Sequence, residues 1–205
     1  MSDHVFMNPD ASGWRWSQND DPSMTKSSSS MAVLDLHRTL PGYDRTPLHS
    51  LPSLAAELEL GHVLLKDESN RFGLPSFKIL GASYGVYRAV ADRLGIPIDE
   101  HGPSLETVGS AARARGLALV TCTEGNWGRA VARMAKYLGV PAKIFVPSFM
   151  PVTTQERVRG EGAEVVVVRG NYDDSVAAAK QEAASNGSLL VMDFGWDGYE
   201  KIPQV

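Results

Sequence analysis

Residues 117–146, LALVTCTEGNWGRAVARMAKYLGVPAKIFV, decide the fold. Leu117 to Cys122 is a continuous apolar run of strand length. Trp127 to Leu138 then places Ala130, Val131, Met134, Ala135 and Leu138 on one helical face. Ala142 to Val146 is a second apolar run. The same alternation continues outward. Thr153 to Arg159 reads as a helix, with Thr153 and Glu156 at capping-box spacing. Glu164 to Val168 is a third strand, and Leu189 to Met192 a fourth. Between them Tyr172 to Ala184 is a helix, with Asn171 as N-cap and two aspartates in its first turn. Buried strands that alternate with helices predict βαβ units on a parallel sheet with helices on both faces, a three-layer α/β arrangement.

Toward the N-terminus the pattern loosens. Residues 1–44 show no sustained periodicity and are expected to form a partly disordered arm, with Ser27 to Ser30 a mobile low-complexity run. Trp14 and Trp16 either dock on the body or on a second subunit, or are incidental to the arm. Leu51 to Leu60 reads as a short helix capped by Gly61, and His62 to Leu65 as a strand. The charged turn Lys66 to Pro75 leads into a helix in which Ile79, Ser83, Val86, Tyr87 and Val90 recur at helical spacing, with Ser76 as N-cap. Gly81 and Gly85 share one face of it. Ile96 to Gly116 is a connection rich in Pro, Gly and charge, with a short helix from Ser104 to Arg115, and a domain boundary fits there.

Composition narrows the class. The chain has 205 residues, enough for one domain or two small ones, and a formal charge of -4. That charge makes no electrostatic case for nucleic acid or an anionic membrane. One cysteine, Cys122, rules out an internal disulfide framework and fits a reducing compartment. No apolar run approaches a membrane span, and the N-terminus lacks a secretory pattern, so a cytoplasmic location is expected. No metal site is expected.

Two stretches carry chemistry. Lys78 starts a helix between Phe77 and Ile79. Desolvation and the positive end of the helix dipole both lower an ammonium pKa there, and a neutral lysine can form a Schiff base with an aldehyde. The same placement also suits a lysine that buries its stem and extends its amine to water. The second stretch, Thr121 to Arg129, is a Gly-bracketed loop between a strand end and a helix start. Its free N–H groups and the Thr121 and Thr123 hydroxyls suit a carboxylate or phosphate, although Gly also serves ordinary βα turns. It lacks the Walker spacing of a nucleotide-triphosphate loop. Cys122 reads as a buried strand residue.

Together, LLKDESNRFGLPSFKILGAS and TCTEGNWGRAVARMAKYLGV resemble the fold type II pyridoxal phosphate enzymes, the relatives of tryptophan synthase β, threonine dehydratase and cysteine synthase. The first carries their Ser-Phe-Lys signature, and the second matches their Ser-x-Gly-Asn-His-Gly loop. The stretches VPSFMPVTTQERVRGEGAEVVVVRGNYDDSV and VMDFGWDGYEKIP are similar to the diaminopropionate ammonia-lyases within that family. The resemblance implies pyridoxal 5'-phosphate as cofactor, a Schiff base at Lys78, and Phe77 and Asn126 as further cofactor contacts. It implies substrate binding by Thr121, Thr123, Gly125, Asn126 and Gly128, with Glu124 and Asp193 as catalytic acids beside Lys78. The reaction implied is α,β-elimination of 2,3-diaminopropionate to pyruvate and ammonia, with a small amino acid as substrate and a homodimer as the assembly. A serine/threonine-type dehydratase or a non-catalytic α/β scaffold are the alternatives. Glu124 stands where the lyase has aspartate and Trp127 where the family has histidine. Glu124 also suits bonding the loop itself, and Asp193 also suits a strand-end cap. The resemblance divides the chain into the arm (1–44), the first part of a large cofactor domain (45–95) and a complete small α/β domain (96–205). No glycine-rich phosphate loop follows, so the chain is expected to correspond to the first half of such an enzyme, as a fragment or a truncated product.

Overall fold

The computed structural model describes residues 27–98 and 102–203. In chain order its elements are α1 (Ser27–Thr39), β1 (Leu48–Ser50), α2 (Pro52–Glu57), β2 (Leu64–Lys66), α3 (Lys78–Leu94), α4 (Leu105–Ala114) and β3 (Leu119–Cys122). There follow α5 (Asn126–Leu138), β4 (Ala142–Pro147), α6 (Val152–Arg159), β5 (Glu164–Val168), α7 (Tyr172–Asn186) and β6 (Leu189–Leu190).

A four-stranded sheet in the order β5-β4-β3-β6 is parallel throughout. Alternate residues of its strands feed opposite layers. Leu119, Ile144 and Val146 join a core built with α3, α4 and α5. Val120, Cys122 and Phe145 join a second core with Val176 and Ala179 of α7. Burial on both faces explains why these strands read as unbroken apolar runs. The chain moves β3 to β4 to β5 in one direction, then α7 carries it across the other face to β6, beside β3. The order therefore reverses between β3 and β6. Ligands of open parallel sheets bind at the carboxyl ends of strands at such a switch.

All five residues predicted for the buried face of α3 are buried, and Ile79, Val86, Tyr87 and Val90 pack in one core with α5 and the sheet. Asn171 is the N-cap as expected, and with Asp174 it forms a capping box. Ser104 caps α4 by accepting from the Thr107 N–H at 3.1 Å.

Other details differ. Pro151, not Thr153, precedes α6, and its carbonyl takes the Thr154 and Gln155 N–H groups. The helix α2 ends at Glu57, and Glu59 rather than Gly61 takes the left-handed backbone, at φ 54°. The second strand lies at Leu64–Lys66, pairs antiparallel with β1, and is exposed along its length. The fourth strand of the sheet stops at Leu190 because the Tyr199 hydroxyl intervenes. It donates to the Leu190 carbonyl and accepts from the Met192 N–H, both at 2.9 Å. Ser27 to Ser30 form the first turn of α1 rather than a mobile run. Trp14 and Trp16 lie outside the described residues. Among the described residues no helix is long and apolar enough to cross a membrane, and no group of three His, Cys, Asp or Glu is placed to hold a metal.

Candidate active site

The start of α3, the start of α5 and the segment after β6 converge at the β3/β6 switch. Lys78, Gly81, Gly85, Trp127, Met192 and Asp193 border a cleft of about 200 Å³ there. Lys78 is the first residue of α3, and its N–H donates to Ser76 Oγ at 3.1 Å. Phe77 occupies the N-cap position without a side-chain bond. Lys78 Nζ donates to Asp193 Oδ2 at 2.8 Å, linking residues far apart in sequence. The expected apolar sheath around Lys78 is only half present. Ile79 is fully buried, but Phe77 is 61% exposed and the Lys78 side chain itself is 40% exposed. Asp193 is thus an ion-pair partner in the cleft and not merely a strand-end cap.

Two networks hold the loop that delivers Lys78. Arg71 is buried, and it donates to both Glu68 carboxylate oxygens, to Thr46 Oγ1 and to the Asp44 carbonyl. The Arg71 guanidinium holds the Glu68 carboxyl down at about 2. Arg133 of α5 donates to the Phe72 carbonyl at 3.0 Å and to Glu161 at 2.6 Å, which ties the same loop to the helix that begins at Asn126. Burial works to raise the Glu161 carboxyl, but the bonds from Arg133 and Arg129 outweigh it and hold it below its usual range.

The Thr121–Arg129 loop is built from inside. Thr123 is buried, and its hydroxyl accepts the N–H groups of both Gly125 and Gly128 at 3.0 Å. A Cβ at Gly128 would run into the Thr123 side chain and lie 3.0 Å from Ile144. Gly128 is therefore set by close packing. Thr121 is fully buried. Its hydroxyl donates toward the Cys122 carbonyl at 3.2 Å and accepts from Trp127 Nε1 at 3.0 Å. The Thr121 hydroxyl and the acceptor side of the Thr123 hydroxyl are thus engaged inside the protein. Glu124 and Asn126 are exposed at the loop surface, and the N–H groups of Asn126 and Trp127 remain as first-turn donors.

Trp127 has a role that the sequence reading missed. Its indole N–H also lies 3.4 Å from the Val191 carbonyl, so it bridges the ends of the two strands at the switch. Only the tertiary fold brings Val191 there. Cys122 is buried, and burial pushes its thiol up to about 11, with the Tyr172 hydroxyl alongside.

With this geometry in place, the comparisons decide the family. A family model described as pyridoxal-phosphate dependent enzyme matches residues 39–204. The chain belongs to that family. The diaminopropionate ammonia-lyase of Salmonella typhimurium is 41% identical over 172 residues, which are 83% of this chain and 43% of the relative. That of Escherichia coli is 34% identical over 203 residues, 99% of this chain and 48% of the relative. A crystal structure of the Escherichia coli enzyme in apo form superposes with a TM-score of 0.79 at 34% identity, covering 89% of this chain and 49% of that one. The chain thus spans about half the length of the curated relatives it matches.

The cleft of this pyridoxal-phosphate-dependent family member fits a flat carbonyl cofactor. A primary amine stands at its edge. At Gly81, on its wall, an added Cβ would meet nothing within 4 Å, and at Gly85 only the Ile202 carbonyl at 3.9 Å. One turn of α3 therefore presents bare backbone beside Lys78, which suits a planar ring.

Proposed function

We propose that this chain supplies Lys78, Asn126 and the loop between them to an ammonia-lyase that eliminates ammonia from 2,3-diaminopropionate, leaving pyruvate and a second ammonia. Pyridoxal 5'-phosphate, when bound, supplies the Schiff-base carbonyl and an electron sink for the α-carbon. The observation that carries the reading is the Lys78 amine at the β3/β6 switch, 2.8 Å from Asp193, beside a bare-backbone wall. Lys78 Nζ is the amine that would hold the cofactor through its carbonyl and, when free, would accept the substrate α-proton. Asp193 orients that amine by accepting its hydrogen bond. Asn126 bonds the cofactor ring, with Phe77 at the cleft mouth. The substrate carboxylate meets the N–H groups of Asn126 and Trp127, while Thr121, Thr123, Gly125 and Gly128 give the loop its shape. Glu124, one methylene longer than aspartate, reaches the α-carbon from the loop side as a second base. The whole enzyme works as a cytoplasmic homodimer in amino-acid catabolism, and the helix α3 that begins at Lys78 shares the core of the α/β unit rather than belonging to a separate domain.

The similarity to diaminopropionate ammonia-lyases runs over 172 to 203 residues, against 119 for the L-threonine ammonia-lyase of Geobacter sulfurreducens. That difference favours diaminopropionate over a hydroxyamino acid. Borohydride reduction in the presence of pyridoxal 5'-phosphate, followed by peptide mapping, tests the assignment. Label is expected on Lys78, and label on Lys66 or Lys136 in its place overturns it.

A further inference from the structure

A second cavity lies away from the cleft, between α1, α3, the first turn of α4 and the end of α5. It encloses about 540 Å³, within the range of small-molecule sites. Three aromatic rings line it, from Tyr84, Tyr87 and Tyr137, with Leu36 as an aliphatic wall. Its charged lining residues are Asp35 and Glu106, and among the described residues no basic side chain lines it. Asp35 is paired with Arg38 at 3.2 Å and Glu106 with Arg113 at 2.7 Å, each through one carboxylate oxygen, which leaves the other oxygen for a further donor. Neither arginine lines the cavity.

Tyr84 supplies the decisive observation. Its residue is only 8% exposed, yet its hydroxyl has no hydrogen-bond partner among the described residues, whereas Tyr87 and Tyr137 donate to the Pro103 and Pro41 carbonyls. The ring is buried while the hydroxyl oxygen itself stays accessible, open to the cavity. A hydroxyl left open on an aromatic cavity with carboxylates at its edge is a site for a donor with an apolar body.

We propose that this cavity binds a small primary amine in its cationic form, carrying an aromatic or branched alkyl group. The ring packs among the tyrosines, where a nearby ammonium also gains cation–π attraction. The ammonium donates to the Tyr84 oxygen and to a free carboxylate oxygen of Asp35 or Glu106. Anions of the same shape are disfavoured, because the described lining residues offer carboxylates and no basic side chain. Tyr84 stands on α3, the helix whose first residue is Lys78, so the site shares a rigid element with the catalytic cleft.

The test is calorimetric titration of the 205-residue chain with tryptamine and with indole-3-propionate, which share a ring and differ in charge. Saturable one-to-one binding of tryptamine is expected, with the anion at least tenfold weaker. Tyr84→Phe, which keeps the ring and removes only the hydroxyl, is expected to weaken tryptamine several-fold. Ala32→Phe, which fills the cavity from α1, is expected to abolish binding. No saturable binding, equal binding of the two ligands, or affinity unchanged by Tyr84→Phe overturns the proposal. The Tyr84 variant decides the question if Ala32→Phe fails to fold.

Discussion

Replacing Glu68 by Gln perturbs the lock on the loop that carries Lys78. Arg71 bonds hold the Glu68 carboxyl at about 2, against its ordinary 4.5, and the Glu68 side chain is only 16% exposed. The depression from 4.5 to about 2 corresponds to about 3 kcal/mol of stability at neutral pH. Glu68→Gln is therefore expected to cost about 2–3 kcal/mol at pH 7, since Arg71 keeps its bonds to the Asp44 carbonyl and Thr46. The folded pKa is depressed, so the contribution is complete above the unfolded value and is lost as pH falls through the window from about 4.5 to about 2. By pH 3.5 roughly 1.4 kcal/mol of it is gone. Urea denaturation of wild type and variant between pH 7 and pH 3.5 reads both quantities. Other carboxylates titrate alike in the two proteins, so the difference in stability isolates Glu68. A difference that stays flat across that range, or one below about 0.5 kcal/mol at pH 7, refutes the reasoning.

Three further outcomes are expected. Gly128→Ala drives a methyl into Thr123 and toward Ile144 and should destabilise by about 1–3 kcal/mol, and an unchanged denaturation midpoint would contradict the packing argument. Cys122, its thiol pushed up to about 11, should react with a disulfide reagent at pH 8 more than about a hundredfold slower than a free cysteine until the chain unfolds. In the whole enzyme, Glu124→Gln should lower pyruvate release from D-diaminopropionate more than from the L-enantiomer, which Lys78 serves. Equal losses would assign Glu124 to general binding, and no loss would leave it without a catalytic role.

The sequence by itself determined the layers. Strand and helix periodicity over 117–192 reflects burial on two faces, a local pattern with a fixed period, and so the parallel sheet was legible before any coordinates. The positions of Lys78 and the Thr121–Arg129 loop at helix starts were legible from neighbouring residues, whereas the roles proposed for them came from the family resemblance. What neighbours do not encode is partnership across the chain. Whether the Thr121 and Thr123 hydroxyls face a ligand or the interior depended on where Trp127, Gly125 and Gly128 came to rest. The Lys78–Asp193 pair, the Trp127 bridge to Val191 and the Tyr199 bond that ends β6 all join segments that meet only after the β3/β6 reversal closes. Exposure of Lys78 was likewise a tertiary matter: apolar neighbours in sequence did not shield it, because Phe77 turned outward while Ile79 turned into the core. Periodicity reports which face of an element is buried, and only the packed structure decides what lies against that face.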